Sequence, residues 1–493
     1  MATFKPSKYQ QLVYTYIQRG HGNAVIDAVA GSGKSTTIVN ALKLIPSDKS
    51  ILFLAFNKSI VNELKAKIGN LPNVDVRTLH SLGVTSINRS LRCQIDEDKY
   101  RSWINKSIEV GAITPNNKLS KESEGEWKTN IIKLVDLGRS NLATTNSDLV
   151  RLSEKHDIWV LDNEISIAIR AIKWGEAYTS TIDYTDMIYF PNVKNIRMPQ
   201  YDWVFIDECQ DLNAAQREMF LKCIKPVTGR FVAVGDPRQA IYGFAGADVE
   251  SFNLLKAVPN TVKLPLSICY RCDKSIITAA QRLVPQIQWR DNAADGEIAS
   301  CSVDDVKDGD MVLCRNTAPV VGLCMNYIAR GIKAYVKGRD IGTNLINMLK
   351  QTKTNSIDIA DQKFNRELGR IIGKVVAKTR CSEEEAKDTS VYKTYEDKAD
   401  AIRVISTGAK DVQEVISRID SIFKDTNNVG ICLSTIHKSK GLEADRVFVL
   451  CPEKLYPKRA MNVAWMAEQE ANLEYVMITR AKHYLGYITD YEC

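Results

Sequence analysis

A short apolar segment, Ala24 to Ile26, is followed almost at once by Ala28-Val29-Ala30-Gly31-Ser32-Gly33-Lys34-Ser35. Strand, glycine-rich turn and helix start in close succession belong to parallel α/β sheets, because parallel strands are joined through crossover helices. The glycines let consecutive backbone N–H groups turn toward one point, where the helix N-terminus adds its partial positive charge. The product is a phosphate cradle, lined by Ala30, Gly31, Ser32 and Gly33 with Thr36 just beyond. Lys34 is placed to reach the β- and γ-phosphates of a nucleoside triphosphate such as ATP, and Ser35 to ligate Mg²⁺. Ala28 stands where the usual pattern has its first glycine.

Other apolar runs repeat the strand signal. Ile51 to Phe56, Trp203 to Ile206 and Phe231 to Val234 join Ala24 to Ile26 in one α/β core. Met311 to Cys314, Ile431 to Leu433, Arg446 to Leu450 and Tyr484 to Ile488 make a second. At 493 residues the chain has room for about three or four domains. The pattern divides it into a first core, 1–88 with 181–262, carrying a helical insertion at 89–180, and a second core, 263–339 with 429–493, carrying a smaller helical insertion at 340–428. In that smaller insertion Arg366, Arg370, Lys374 and Lys378 recur every four residues, away from Phe364, Leu368, Ile371 and Val375. Such a basic ridge is either a solvated face or a contact for duplex phosphates.

A net charge of +7 permits nucleic-acid binding at this length without arguing for it. No apolar run is long enough to span a bilayer and the N-terminus lacks the apolar core of a leader, so the reading is cytoplasmic, without a membrane. The twelve cysteines are scattered, many in strand-like runs, as expected of reduced thiols that pack as small apolar groups. Cys269 and Cys272 have C-x-x-C spacing but no second pair at zinc-ribbon distance.

Two further strand ends carry chemistry. Trp203 to Ile206 ends in Asp207-Glu208, two carboxylates at the carboxyl end of a buried strand, where open α/β sheets bind ligands. Asp207 suits Mg²⁺, directly or through its water shell, and Glu208 suits the acceptance of a proton from an attacking water. Phe231 to Val234 ends in Gly235-Asp236-Pro237-Arg238-Gln239, which places Gln239 to sense the γ-phosphate. Tyr242 and Phe244 follow on a glycine-bracketed loop and offer π-faces for stacking bases.

With these residues in order, the chain resembles the superfamily 1 helicases of the UvrD/Rep type, and the resemblance runs along almost its whole length. Ala28 is itself usual in that family. Gln10 resembles the glutamine that reads adenine; Phe56-Asn57 and Thr78-Leu79-His80 resemble the first DNA-contacting motifs, and Asp183-Tyr184-Thr185-Asp186-Met187 a segment that precedes the acidic strand. In the second core Arg271 resembles the arginine that contacts the γ-phosphate across a cleft, with Arg480 as a second arginine finger. Arg315, together with Thr435 and His437 of the run ending Lys440-Gly441-Leu442-Glu443, matches strand-gripping positions; Gly441 and Glu443 match nucleotide contacts. Thr36 departs from the arginine common there, and the second insertion is smaller than is usual.

What the resemblance implies is an α/β fold of two RecA-like parallel-sheet P-loop NTPase cores with helical insertions, compact enough to suggest a phage enzyme. It further implies an ATP- and Mg²⁺-dependent DNA helicase and translocase on single-stranded DNA and single-to-double-strand junctions, with 3′ to 5′ polarity. A protein loader and a monomeric state are both compatible with it. The alternative is an ATP-hydrolysing nucleic-acid clamp or partner-recruiting switch that does not separate strands. A helicase–nuclease is disfavoured, since neither insertion shows spaced carboxylates with lysine.

Overall fold

The structure is a computed structural model and describes residues 5–69, 71–114, 121–156, 158, 162–241, 250–424, 429–457 and 464–492. It resolves into two compact units, Met1–Ser267 and Ile268–Cys493.

Among the described residues, the first unit is built on a six-stranded sheet of β1 (Asn23–Ala28), β2 (Ile51–Ala55), β3 (Val74–Thr78), β4 (Trp203–Ile206), β5 (Arg230–Gly235) and β6 (Thr261–Leu266), in the order β3-β2-β4-β5-β1-β6. Every pairing is parallel. The central strands are buried on both faces, so β2 and β4 read as unbroken apolar runs. One core lies between the sheet and the helices Lys8–Arg19 and Lys34–Leu42, the other beneath Ala214–Leu221 and Ser251–Ala257. Because β6 pairs with β1, the division expected at 262/263 falls inside a strand; the units part after Ser267.

The helices Lys99–Glu109, Lys121–Ser140, Asn146–Lys155 and Asp162–Ala177 occupy the first insertion. They close their own core around Ile131, Leu134, Ala168 and Ala171, together with Tyr189 and Phe190 of the helix Tyr184–Val193. Asp183 caps that last helix, and Asp186 lies in its first turn. Arg139, fully buried, donates to Asp183 and to Asp186, each at 2.7 Å, and Lys99 donates to Asp186 at 2.7 Å. The two acidic residues therefore pin the insertion to the sheet-bearing part of the unit.

In the second unit the strands are β7 (Glu297–Cys301), β8 (Met311–Cys314), β9 (Ala334–Lys337), β10 (Phe423–Lys424), β11 (Ile431–Thr435), β12 (Ala444–Val449) and β13 (Ala481–Ile488), in the order β7-β13-β12-β8-β11-β9-β10, all parallel. Its insertion folds as the helices Arg339–Gln351, Ile357–Thr379, Glu383–Lys387, Ser390–Ser406 and Val412–Ile422. Part of it packs into the core of the sheet, while Leu368, Ile371, Val375, Ala386 and Tyr392 are buried outside that core. Leu345, Phe364, Ala399, Ile402, Val415 and Ile419 belong to the same buried cluster as Val312, Val320, Val336 and Leu433 of the sheet layer. Asp397 accepts from the backbone N–H groups of Thr317 and Ala318, at 2.9 and 3.0 Å, and so caps the helix Thr317–Ala329 from across the insertion.

On the helix Ile357–Thr379 the apolar face is buried as expected, Arg366 and Lys374 are exposed, and Arg370 pairs with Glu367 at 3.4 Å. The Lys378 side chain lies outside the described residues. Among the described residues ten cysteines are free, whereas Cys451 is disulfide-bonded, a departure from the reduced thiols expected. Among the described residues no helix is long and apolar enough to cross a membrane.

Candidate nucleotide and nucleic-acid site

The loops that follow β1, β4 and β5 emerge side by side, because those three strands are neighbours in a parallel sheet and end at the same edge. After β1 the chain turns through Gly31 (φ 63°) and Gly33 (φ 74°), left-handed conformations that disfavour a side chain, and the helix Lys34–Leu42 starts at once. Ser32 Oγ is buried in this loop without a hydrogen-bond partner. A left-handed backbone and an orphaned hydroxyl at a helix start fit a triphosphate, whose oxygens accept from N–H and O–H groups.

Lys34 Nζ donates to Glu208 Oε1 at 2.7 Å. Burial works against the charge on Lys34, yet Glu208, Asp207 and Asp236 hold its pKa above the usual lysine value. Glu208 is itself left-handed (φ 52°), an uncommon state for a residue with a side chain and one that marks functional turns. Asp207 Oδ1 accepts from the Glu208 N–H at 2.9 Å, which sets the direction of the turn. Gln210 then donates to Glu208 Oε2 and accepts from the Asp236 N–H at 3.1 Å. Asp236 is fully buried; its carboxylate takes the Gln239 amide at 2.8 Å and Arg238 Nε at 2.8 Å. Burial pushes the Asp236 pKa up, against the pull of Arg238 and Lys34. Arg238 also pairs with Asp27, at the end of β1, at 2.8 Å. Lys34, Ser35, Asp207, Glu208 and Gln239 thus share one end of the sheet.

Gln10 reaches the same region by another route. It completes a capping box with Ser7, and its Nε2 donates to Thr37 Oγ1 at 3.1 Å, so its amide is engaged with the phosphate-loop helix. Thr36, on that helix, is exposed. At the far half of the sheet edge, after β2 and β3, lie the residues expected to grip nucleic acid. Phe56 is 47% exposed, Asn57 caps the helix Lys58–Ile68, and burial lowers the pKa of His80. Tyr242 and Phe244 lie outside the described residues.

In the second unit the segment Gly441–Glu443 gathers both arginines. Gly441 is left-handed (φ 88°), and Glu443 Oε2 takes Arg271 Nε at 2.6 Å. Burial raises the Glu443 pKa, but Arg271 and then Lys482 bring it below its ordinary value. Arg271 also donates to the Thr479 carbonyl at 2.9 Å. Arg480 is 2% exposed and donates to the carbonyls of Leu442 and Val476, each at 3.0 Å. Arg315 forms an ion pair with buried Glu470 at 2.8 Å. His437 is held neutral, its pKa pushed down to about 3 by burial and then by Arg315 and Lys438. Thr435 is buried at the end of β11. Sequence reasoning missed Gln210, Glu470 and Asp397, each of which fixes a residue it did single out or the loop beside it.

Two parallel sheets, with a phosphate loop and a metal-suited acidic strand end on the first, define the architecture of a P-loop nucleoside triphosphatase. The UvrD/REP helicase N-terminal domain matches residues 10–259, and the UvrD-like helicase C-terminal domain matches residues 383–492. The chain belongs to the UvrD/Rep helicase family. It is 23% identical over 291 residues to the ATP-dependent DNA helicase Rep of Buchnera aphidicola subsp. Schizaphis graminum, covering 54% of this chain and 42% of that one. Against the F-box DNA helicase 1 of Gallus gallus the figures are 22% over 517 residues, 96% of this chain and 48% of the relative. Against the ATP-dependent DNA helicase PcrA of Bacillus subtilis they are 25% over 302 residues, 55% and 39%. The chain spans about half the length of these relatives, or less.

Proposed function

We propose that the chain is an ATP-dependent helicase and translocase that moves 3′ to 5′ on single-stranded DNA and acts at junctions with duplex. The observation that carries this reading is the Lys34–Glu208 pair, at 2.7 Å, set at the adjoining ends of parallel strands beside an orphaned serine hydroxyl. Lys34 and the N–H groups of Ala30 to Gly33 would bind the triphosphate, with Gln10 toward the base. Ser35 and Asp207 would hold Mg²⁺, which supplies positive charge to the β- and γ-phosphate oxygens. Glu208 exchanges Lys34 for the attacking water and takes its proton. Arg271 and Arg480 offset the charge of the transferring phosphoryl group, and Gln239 reports its presence. Phe56, Asn57, His80, Arg315, Thr435 and His437 are the proposed strand contacts, together with Tyr242 and Phe244. The proposed setting is the cytoplasm, and the reading is compatible with a protein loader.

One observation favours the second reading, a clamp or switch that hydrolyses ATP without separating strands. Much of the second insertion packs into the core of its sheet, which favours a body fused to that unit over a separate duplex-engaging one. Strand displacement on 3′-tailed, 5′-tailed and blunt DNA duplexes, run beside ATP hydrolysis, separates the two. The helicase reading expects displacement of the 3′-tailed duplex alone. Glu208→Gln should retain ATP binding and lose turnover stimulated by single strands by about a hundredfold or more. Retained turnover would overturn the role of Glu208 as base.

A further inference from the structure

The side chain of Gln210 spans two elements that the proposed reaction needs together. Its Nε2 donates to Glu208 Oε2, the carboxylate oxygen not taken by Lys34, and its Oε1 accepts from the backbone N–H of Asp236 at 3.1 Å. Asp236 in turn holds the Gln239 amide at 2.8 Å. Gln210 is 1% exposed, so neither bond competes with bulk water. The sequence of β5 is shaped around this side chain. A Cβ on Gly235 would stand 2.3 Å from Gln210 Oε1, although no positive φ demands glycine there. Glycine at 235 is therefore a matter of room for the Gln210 amide and for Cys209 Sγ, which the same Cβ would meet at 2.9 Å.

We propose that Gln210 is a positioning residue for ATP hydrolysis: it aims the Glu208 carboxylate and ties that aim to the placement of the Asp236–Gln239 segment. The proposal rests on the reading of Glu208 as the base. A charge-assisted bond to one carboxylate oxygen fixes the plane of the group, so removing it loosens the aim of Glu208. Lys34 from the phosphate-loop helix holds the other carboxylate oxygen of Glu208, at 2.7 Å.

Gln210→Met keeps the length of the side chain and removes both bonds. On the full chain with ATP, Mg²⁺ and single-stranded DNA, kcat should fall about tenfold while KM for ATP stays within about twofold. Gly235→Ala, which displaces the Gln210 amide without touching its chemistry, should show the same split. The double variant should be no worse than either single one. A kcat within twofold of the parent would overturn the proposal, as would kcat and KM worsening together, the mark of a merely structural residue. Glu208→Gln is measured alongside. If it keeps its turnover, the base reading falls and this proposal with it; if it is inactive while Gln210→Met is unchanged, only the role of Gln210 falls.

Discussion

The clearest energetic statement at the scale of single residues concerns His437. Burial, then Arg315 and Lys438, push its pKa down to about 3, far below the ordinary imidazole value of about 6.5. A folded-state pKa lowered in this way means that the unfolded chain binds the extra proton first. The stabilisation is therefore complete above pH of about 6.5 and is lost as pH falls toward 3. The urea midpoint of the second unit should decline between pH 7 and 5, and His437→Gln should flatten that decline; an unchanged slope would show that the ring is protonated in the fold. The proposed nucleotide contacts Lys34, Ser35, Asp207, Glu208 and Gln239 could be singled out in the sequence because each follows an apolar strand within a few positions. What was not legible is who holds them. Glu470 lies 155 residues from Arg315 and Asp397 lies 80 from Thr317, and no local pattern announces a partner at such separation.

At the scale of elements, legibility followed burial. β2, β4, β5 and β8, flanked by strands on both sides, were readable as apolar runs, whereas β3, β6 and β7 were not. Those three are edge strands, half-exposed and carrying Asp75 and Arg77 in β3 and Pro265 in β6. A proline is tolerated at an edge because one side of the strand donates no ladder bonds. The second insertion taught the opposite lesson: its helices were visible, but their fusion with the sheet was not, since a helical period says nothing about what the apolar face meets. Asp397 is a direct test of that fusion. Its loss to alanine should cost about 1–2 kcal/mol through the uncapped helix Thr317–Ala329, read as a lower urea midpoint for the second unit. A change below about 0.3 kcal/mol would mean that the cap carries no stability.

For the whole molecule, the two units have separate cores, one set around β1 to β6 and one around β7 to β13. Calorimetry should accordingly resolve two unfolding transitions. ADP with Mg²⁺, which lacks the γ-phosphate that Arg271 and Arg480 are proposed to meet, should raise only the transition of the unit bearing Lys34. At a hundredfold excess over its dissociation constant the gain is about 2.7 kcal/mol. Equal movement of both transitions would show that the diphosphate is bound by both units. The second unit holds one more consequence. Leu442 supplies the carbonyl that takes Arg480, and Glu443 supplies the carboxylate that takes Arg271. Two adjacent residues beyond a left-handed glycine thus hold one side of each cation, while the carbonyls of Thr479 and Val476 hold the other. A shift of that short strip loosens both guanidinium groups together, so the two arginines are built to respond as a pair.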